Sequence, residues 1–320
     1  MAATFLQAGA LAIIIASLPL STASAHCFTG ARFLPATLIT DDPCVADEMS
    51  IPTITWSQTA DNPPAQEIDL EADFSKRITQ DFGITLQETW SQIQHPGGPT
   101  QAGFQDLETT FQYQLLKDGP HELAMLLGLI VDWGGTGATN AGIGTSYSTL
   151  TPTFYVGKGL GDLPDTDVVR WLRPLAVTAE VGYAVPSSSF DLVANTFIPQ
   201  TLNWSGSIQY SMPYLKSNVV DLELPDFINH LIPIVEYSFT TPVANNFGNS
   251  WVTTGTINPG VIWVGTYYQV ALEAQIPVNA ESGHGVGVIG QLHLYLDDMF
   301  PTTVGQPLFG PKTTPQKLTF

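Results

Sequence analysis

Residues 67–74 have the sequence Glu-Ile-Asp-Leu-Glu-Ala-Asp-Phe, in which acidic and apolar residues alternate strictly. In an extended strand the two kinds of side chain therefore point to opposite faces. The acidic face consists of Glu67, Asp69, Glu71 and Asp73. A strand in the wall of a membrane β-barrel suits both faces, because the apolar one contacts lipid and the other faces a polar lumen.

Eleven further segments have strand character, and several of them alternate with the same period of two. The twelve segments are approximately 49–58, 66–77, 82–93, 104–116, 122–133, 147–157, 168–184, 201–214, 230–241, 251–263, 267–278 and 285–297. They predict an all-β fold, a transmembrane antiparallel up-and-down β-barrel of about 12 strands over residues 49–297. A soluble β-sandwich is the alternative, because it also produces alternating strands.

The lengths of the connections favour the barrel over the sandwich. Segments after the second, fourth and tenth strands are short, whereas those after the third, fifth, seventh and ninth are longer and rich in Gly, Asn, Ser and Pro. Bacterial barrels have short periplasmic turns and longer extracellular loops, so both termini are expected in the periplasm. Residues 215–229 are an exception, because they form a long connection on the predicted periplasmic side.

The composition excludes some classes of partner. Charged residues make up 12% of the 320-residue chain, and the net charge is −19 with only ten Lys and Arg. Nucleic acid is therefore not an expected partner, since phosphate binding needs basic patches. The longest apolar run after the N-terminal region is Leu123 to Val131, which is shorter than the ~18 residues of a spanning helix.

Both ends of the chain lie outside the predicted barrel. The apolar run from Phe5 to Leu20 is followed by Ala23-Ser24-Ala25, which predicts a signal peptide over residues 1–25 and export. Residues 26–48 are expected either in the periplasm or as a plug in the lumen. The oxidising compartment favours a disulfide between Cys27 and Cys44 over two free thiols. Residues 298–320 form a proline-rich tail.

The inward faces of the predicted strands give the candidate functional residues. An ionised carboxylate is costly in lipid, so the acidic row is assigned to the lumen. The predicted lumen-lining residues are Glu67, Asp69, Glu71, Asp73, Arg170, Glu180, Gln209, Glu273, Gln291 and His293. Their net charge is negative, which predicts a pore that prefers cations. A structural or surface-binding barrel with a closed lumen is the alternative.

The sequence gives weaker support to an enzyme. Asp226 and His230 are four residues apart and could act together in acid–base chemistry, as in an outer-membrane hydrolase. Gly134-Gly135-Thr136-Gly137 is not followed by the Lys of a phosphate loop, and the histidines do not have HExxH spacing. No catalytic residue, metal or cofactor is therefore predicted.

Six stretches also resemble a known group of proteins. They are Arg32–Thr37 with Asp41–Pro43, Val45–Glu48, Phe74–Thr79, Ser211–Ser217 and Gly287–His293. Together they resemble Gram-negative exported barrels described as transporters, which are similar to the outer-membrane proteins of phenol meta-cleavage pathways. The resemblance implies an outer-membrane location and passage of small apolar or aromatic molecules. The partners expected there are outer-membrane lipid, the barrel-assembly machinery and a small-molecule solute.

Overall fold

The computed structural model describes residues 27–191 and 195–312. Twelve antiparallel strands form a closed barrel, because the last strand pairs with the first and every strand pairs with its neighbours in the chain. The strands are β1 (Glu48–Gln58), β2 (Gln66–Arg77), β3 (Phe82–Gln94), β4 (Glu108–Asp118), β5 (Leu123–Asp132), β6 (Thr149–Gly159), β7 (Leu175–Pro186), β8 (Gln200–Tyr210), β9 (Leu231–Ala244), β10 (Thr254–Val264), β11 (Tyr268–Pro277) and β12 (Gly287–Tyr295). The predicted twelve-stranded barrel is confirmed.

The fourth, seventh and eighth strands differ most from their predicted bounds. A further strand, Thr100–Phe104, pairs with the end of β3 and is separated from β4 by residues 105–107. The seventh strand begins at Leu175 rather than at 168, because a 3₁₀ helix occupies Val169–Leu172 and the following Pro174 has no N–H for a ladder. The eighth strand ends at Tyr210.

A helix, α1 (Met212–Asn218), begins directly after β8. The Ser211 side chain caps it by accepting a hydrogen bond from the Tyr214 N–H at 3.2 Å, and Pro213 suits the first turn. Two shorter helices are α2 (Asp226–Asn229) and α3 (Leu296–Met299). None of the helices in the described part of the chain has the length and apolar character of a membrane span.

The remaining short elements lie outside the barrel wall. Two-residue strands pair Phe28–Thr29 with Arg32–Phe33 and Phe190–Asp191 with Thr196–Phe197. Further 3₁₀ helices occupy Thr139–Ala141 and Ala280–Ser282.

The two faces of the wall have opposite chemistry. Apolar side chains point outward, as with Ile208 and Leu272, which are 55% and 56% exposed. Aromatic rings stack on the same face, where Trp204 and Phe239 have centroids 4.4 Å apart. Inward side chains are mostly polar and buried, including Ser207. Apolar residues outside and polar residues inside are the arrangement of a barrel that contacts lipid.

The connections at the end of the barrel where β1 begins and β12 ends are of two kinds. Residues 78–81, 119–122 and 265–267 are short turns. Residues 160–174 and 211–230 are longer and contain the 3₁₀ helix and the helices α1 and α2. The short–long alternation therefore has a second exception, residues 160–174, besides the predicted one.

Candidate functional site: the lumen and its N-terminal segment

Residues 27–47, called the N-terminal segment below, run into the barrel from the end where β1 begins and return to that end. Hydrogen bonds tie the tip, residues 38–41, to side chains midway along β8 and β9. Cys27 and Cys44 form a disulfide with a Cα–Cα distance of 5.2 Å, which joins the two legs of the segment. The segment is thus a closed loop within the lumen.

The first leg is fixed by the guanidinium of Arg32, which is fully buried. Its Nε donates to Glu122 Oε2 at 3.0 Å, and one terminal nitrogen donates to the Pro174 carbonyl at 3.0 Å. Tyr214 donates its hydroxyl to the other Glu122 oxygen at 2.7 Å, and its ring centroid lies 3.6 Å from the guanidinium carbon. Burial, followed by the hydrogen bond to Glu122, raises the pKa of Tyr214 to about 12.

The second leg is fixed by Asp47, whose carboxylate is also buried. Asp47 Oδ1 accepts from Lys76 Nζ at 2.6 Å, and Oδ2 accepts from Arg77 Nε at 2.7 Å. The same two cations donate to carbonyls of the tail, including that of Gly305 at 2.9 Å from Arg77. These ion pairs therefore join the segment, the end of β2 and the C-terminal tail.

Apolar side chains of the segment pack on one side of the lumen. Phe28, Phe33 and Leu38 form a buried core with inward residues of β9–β12. The strand residues of this core are Ile232, Ile234, Ile262, Val264, Ala271, Ile289 and Tyr295. We call the inward face of β9–β12 the packing wall.

The tip of the segment is held by one carboxylate of the packing wall, Glu236, which is fully buried. Its Oε2 accepts from the Leu38 and Ile39 N–H groups at 2.9 and 3.1 Å, and its Oε1 accepts from the Thr40 N–H at 3.0 Å. The Thr40 hydroxyl also donates to Ser205 Oγ at 2.9 Å. Three charge-assisted hydrogen bonds on one carboxylate make Glu236 the main anchor of the tip.

The opposite side, the inward face of β1–β4, is polar, and we call it the polar wall. A cavity of about 180 Å³ separates part of it from the N-terminal segment. The residues of β1–β4 that line the cavity are Glu48, Ser50, Glu71, Asp73, Ser75, Thr85, Gln87, Glu108, Thr110 and Gln112. The adjacent strand β12, at the edge of the packing wall, contributes Gln291 and His293. The segment contributes residues 36–39, Asp41, Asp42 and Cys44.

Burial and charge repulsion both raise the pKa of carboxyl groups of the N-terminal segment in this cavity. Burial raises the pKa of Asp41 to about 6, and the negative charges of Asp73 and Glu236 act in the same direction. Burial, followed by repulsion from Glu48, also raises the pKa of Asp42 well above its usual range. The cavity therefore favours ligands or conditions that neutralise negative charge.

Most of the predicted lumen residues lie on inward faces. The four carboxylates of β2 alternate with outward apolar residues, and Asp69 accepts a hydrogen bond from the Ser91 hydroxyl. Glu180 accepts from Ser205 Oγ at 2.8 Å. Gln209, Glu273, Gln291 and His293 are buried. His293 Nδ1 lies 2.9 Å from Ser50 Oγ.

Arg170 does not lie on a strand of the barrel wall, contrary to the strand bounds predicted from the sequence. Arg170 belongs to the 3₁₀ helix Val169–Leu172, in the connection before β7, and its guanidinium carbon lies 5.2 Å from the Trp171 ring centroid. The predicted alternation of inward and outward side chains extends back through Pro174 to residue 168, but the strand begins only at Leu175.

Three carboxylates that lie in the lumen were not predicted from the sequence, namely Asp41, Glu108 and Glu236. Glu236 follows Ile232 and Ile234 with the period of a strand, so it shares a face with apolar residues and has no acidic pattern around it. The available signal was its position among apolar residues on one strand face, because an isolated acid is costly if such a face contacts lipid.

Asp226 and His230, the acid–base pair suggested by the sequence, lie near each other at the end of β10. His230 Nε2 lies 3.7 Å from the Asp226 carboxylate, whose side chain is 86% exposed. His230 Nδ1 lies 2.6 Å from the Val264 carbonyl, and its ring stacks on Trp263 with centroids 5.3 Å apart. These contacts fix the imidazole against the end of β10.

Comparisons with known proteins identify the fold. No family model and no curated protein matches the sequence. An outer membrane channel from Pseudomonas putida F1 aligns with a TM-score of 0.52 and 11% identity, over 82% of this chain and 99% of that chain. The KdgM porin aligns at 0.43 with 10% identity, over 76% and 98% of the two chains. The NanC porin aligns at 0.44 with 7% identity, over 76% and 97%.

These likenesses concern architecture. At 11% identity, the similarity to the Pseudomonas putida channel shows that the chain has the fold of an outer-membrane β-barrel. The resemblance to proteins of phenol meta-cleavage pathways stays a prediction.

Proposed function

We propose that the protein is an outer-membrane channel for small solutes with a lumen that prefers cations. The observation that carries this proposal is the polar wall, where Glu71, Asp73 and Glu108 line a cavity together with Asp41 of the N-terminal segment. Neither Lys nor Arg lines that cavity among the described residues. Carboxylates between low-dielectric walls concentrate cations and exclude anions.

The chemistry of the lining also bears on the class of solute. The resemblance found in the sequence implies apolar or aromatic molecules, but hydroxyl, amide and carboxylate groups dominate the cavity. Desolvating these groups around an apolar solute would be unfavourable. The geometry therefore favours charged or strongly polar solutes.

The N-terminal segment makes the lumen narrow and sets the alternative function. Because a disulfide and buried ion pairs hold both legs, the lumen could instead stay closed in a structural or surface-binding barrel. Single-channel recording of the purified protein in a planar bilayer separates the two functions. Defined conductance steps support a channel, and a folded, inserted protein without conductance supports the closed barrel.

Charge selectivity is tested by the reversal potential in a potassium chloride gradient. We expect a cation-preferring potential that weakens as salt is raised, since the Debye length falls from ~10 Å at 0.1 M to ~3 Å at 1 M. The variant D69N/D73N removes two inward charges from β2 and is expected to reduce the selectivity. Anion preference in the parent, or unchanged selectivity in the variant, would contradict the proposal.

The location is tested by fractionation. We expect the mature protein to begin at His26, to separate with outer membranes and to show heat-modifiable gel migration. The predicted signal peptide, residues 1–25, lies outside the described residues. Recovery as a soluble monomer without detergent would contradict this location.

A further inference from the structure

We infer that the cavity between the polar wall and the N-terminal segment is a binding site for a small organic cation with primary ammonium groups, such as an alkyl diamine. This assignment names the solute class of the proposed channel and rests on its cation-preferring lumen. The cavity is rich in acceptors, since acidic side chains come from both the wall and the segment. An ammonium group has three N–H donors and no acceptor, which complements such a lining.

A second observation, independent of the acidic residues, points to a ligand that donates hydrogen bonds. Gln291 lines the cavity and is 8% exposed, and its Nε2 donates to Thr53 Oγ1 at 3.2 Å. Its Oε1 is buried and accepts no hydrogen bond from any residue in the described part of the chain. A buried acceptor without a donor is unfavourable, so a ligand N–H at this position would be stabilising.

The geometry disfavours a bare divalent cation. Among the described residues, Cys27, Asp42 and Cys44 are the one group of three metal-type ligands whose atoms lie within 4.8 Å of one another. Both sulfurs of that group belong to the disulfide. Among the described residues, no three carboxylates of the cavity therefore come as close together as that, whereas Ca²⁺ takes about six to eight oxygen ligands at roughly 2.3–2.6 Å.

The lining also disfavours a quaternary ammonium ion. No Phe, Tyr or Trp is among the described residues around the cavity. Quaternary ammonium groups have no N–H to donate and are bound by aromatic cages. A diamine differs from both alternatives, because its two ends can reach carboxylates that lie apart, such as Asp73 of β2 and Glu108 of β4.

The test is isothermal titration calorimetry with 1,4-diaminobutane on the folded, detergent-solubilised full chain. We expect saturable binding that weakens with salt. In the variant D73N/E108Q we expect at least about tenfold weaker binding, since hydrogen bonds to charged groups contribute ~1.5–3 kcal/mol and each 1.4 kcal/mol is about tenfold. Q291L, which removes the unpaired acceptor without changing the charge, should weaken binding about threefold or more.

Matched controls separate a site from general attraction. E67Q removes one inward charge from β2 outside the cavity and should change the affinity less than about twofold. Tetramethylammonium should fail to compete, and calcium chloride should compete only as ionic strength does. Equal binding of tetramethylammonium, displacement by stoichiometric calcium, or equal losses in E67Q and D73N/E108Q would overturn the assignment.

Further measurements distinguish loss of the binding site from misfolding of a variant and from failure of the channel proposal. Heat-modifiable migration identifies variants that fold, and Q291L tests the site without altering the acidic residues. Because calorimetry needs no conduction, diamine binding to a protein without conductance would contradict the channel and leave the site standing. A cation-preferring channel that does not bind the diamine would contradict the site alone.

Discussion

The packing wall and the polar wall belong to one lumen but treat the N-terminal segment differently. On the packing wall, Ile232 and Ile262 are fully buried against the aromatic and aliphatic side chains of the segment. On the polar wall, carboxylates and hydroxyls face the same segment across a cavity. The comparison shows that apolar packing holds the segment on one side, while a polar cavity separates it from the wall on the other.

The largest expected effect comes from loosening the packing wall. Phe33 packs among buried residues of β9–β12 and contacts the Tyr295 ring with centroids 6.0 Å apart. In F33A, we expect docking of the segment to lose ~3–5 kcal/mol, the usual cost of deleting a buried Phe side chain. The measurements are hydrogen exchange of residues 34–41 and single-channel conductance, both of which should increase.

The matched control for F33A is F74A, which truncates an outward, 37% exposed ring of β2. That change should leave exchange in the segment unaltered, because the ring does not contact it. If F33A exchanges as slowly as the parent, the packing wall does not hold the segment.

A second prediction tests whether the two walls differ only on their inner faces. Leu70 of β2 and Leu272 of β11 both point outward and are 41% and 56% exposed. L70R and L272R should each reduce the free energy of unfolding in lipid vesicles by ~2–4 kcal/mol if they lie near the bilayer midplane. E67Q, on the inward face of β2 and outside the cavity, should change it by only about 0.5 kcal/mol. Equal sensitivity inside and outside would indicate a dry core instead of a lumen.

Much of the barrel could be predicted because the alternation of polar and apolar side chains appears within each strand's own sequence. The alternation in residues 67–74 fixes which side chains of β2 face inward, and the same rule applies to Glu180 and Glu273. Two strand ends differ from the prediction for local reasons. Pro174 cannot donate to a strand ladder, so β7 begins after it, and Ser211 caps helix α1, so β8 ends before it.

The division of the lumen could not be predicted from such patterns. It depends on contacts between residues far apart in the chain, such as Leu38 with Glu236 and Arg32 with Glu122. Residues 27–47 have no strand period that would indicate their docking surface. The stretches that resemble known barrels include Arg32, Asp47 and Lys76, which together fix both legs of the segment. That role became visible only when the fold brought them together.

A third prediction tests whether the Glu236 carboxylate holds the tip of the N-terminal segment. E236Q removes the charge that accepts the three N–H groups of residues 38–40, and we expect the docked tip to lose ~1.5–3 kcal/mol. E67Q is the matched control, because it removes an inward carboxylate of β2 that does not line the cavity beside the tip. Hydrogen exchange of those three amides measures the effect. Equal exchange in the two variants would contradict the assignment of Glu236 as the anchor.

The smallest expected effect is a pH dependence of the same tip. Burial, followed by repulsion from Asp73 and Glu236, raises the pKa of Asp41 to about 6, whereas an unfolded Asp titrates near ~3.9. The stabilisation due to protonated Asp41 is therefore complete below the unfolded pKa and is lost as the pH rises through about 6. Exchange of residues 38–40, corrected for intrinsic rates, should increase between pH 5 and pH 7, about one unit on each side of that pKa. D41N should remove most of this increase, whereas F74A, which leaves the segment docked, should retain it. A tip that docks more tightly as the pH rises, or a D41N variant with the parental profile, would show that Asp41 does not control the tip.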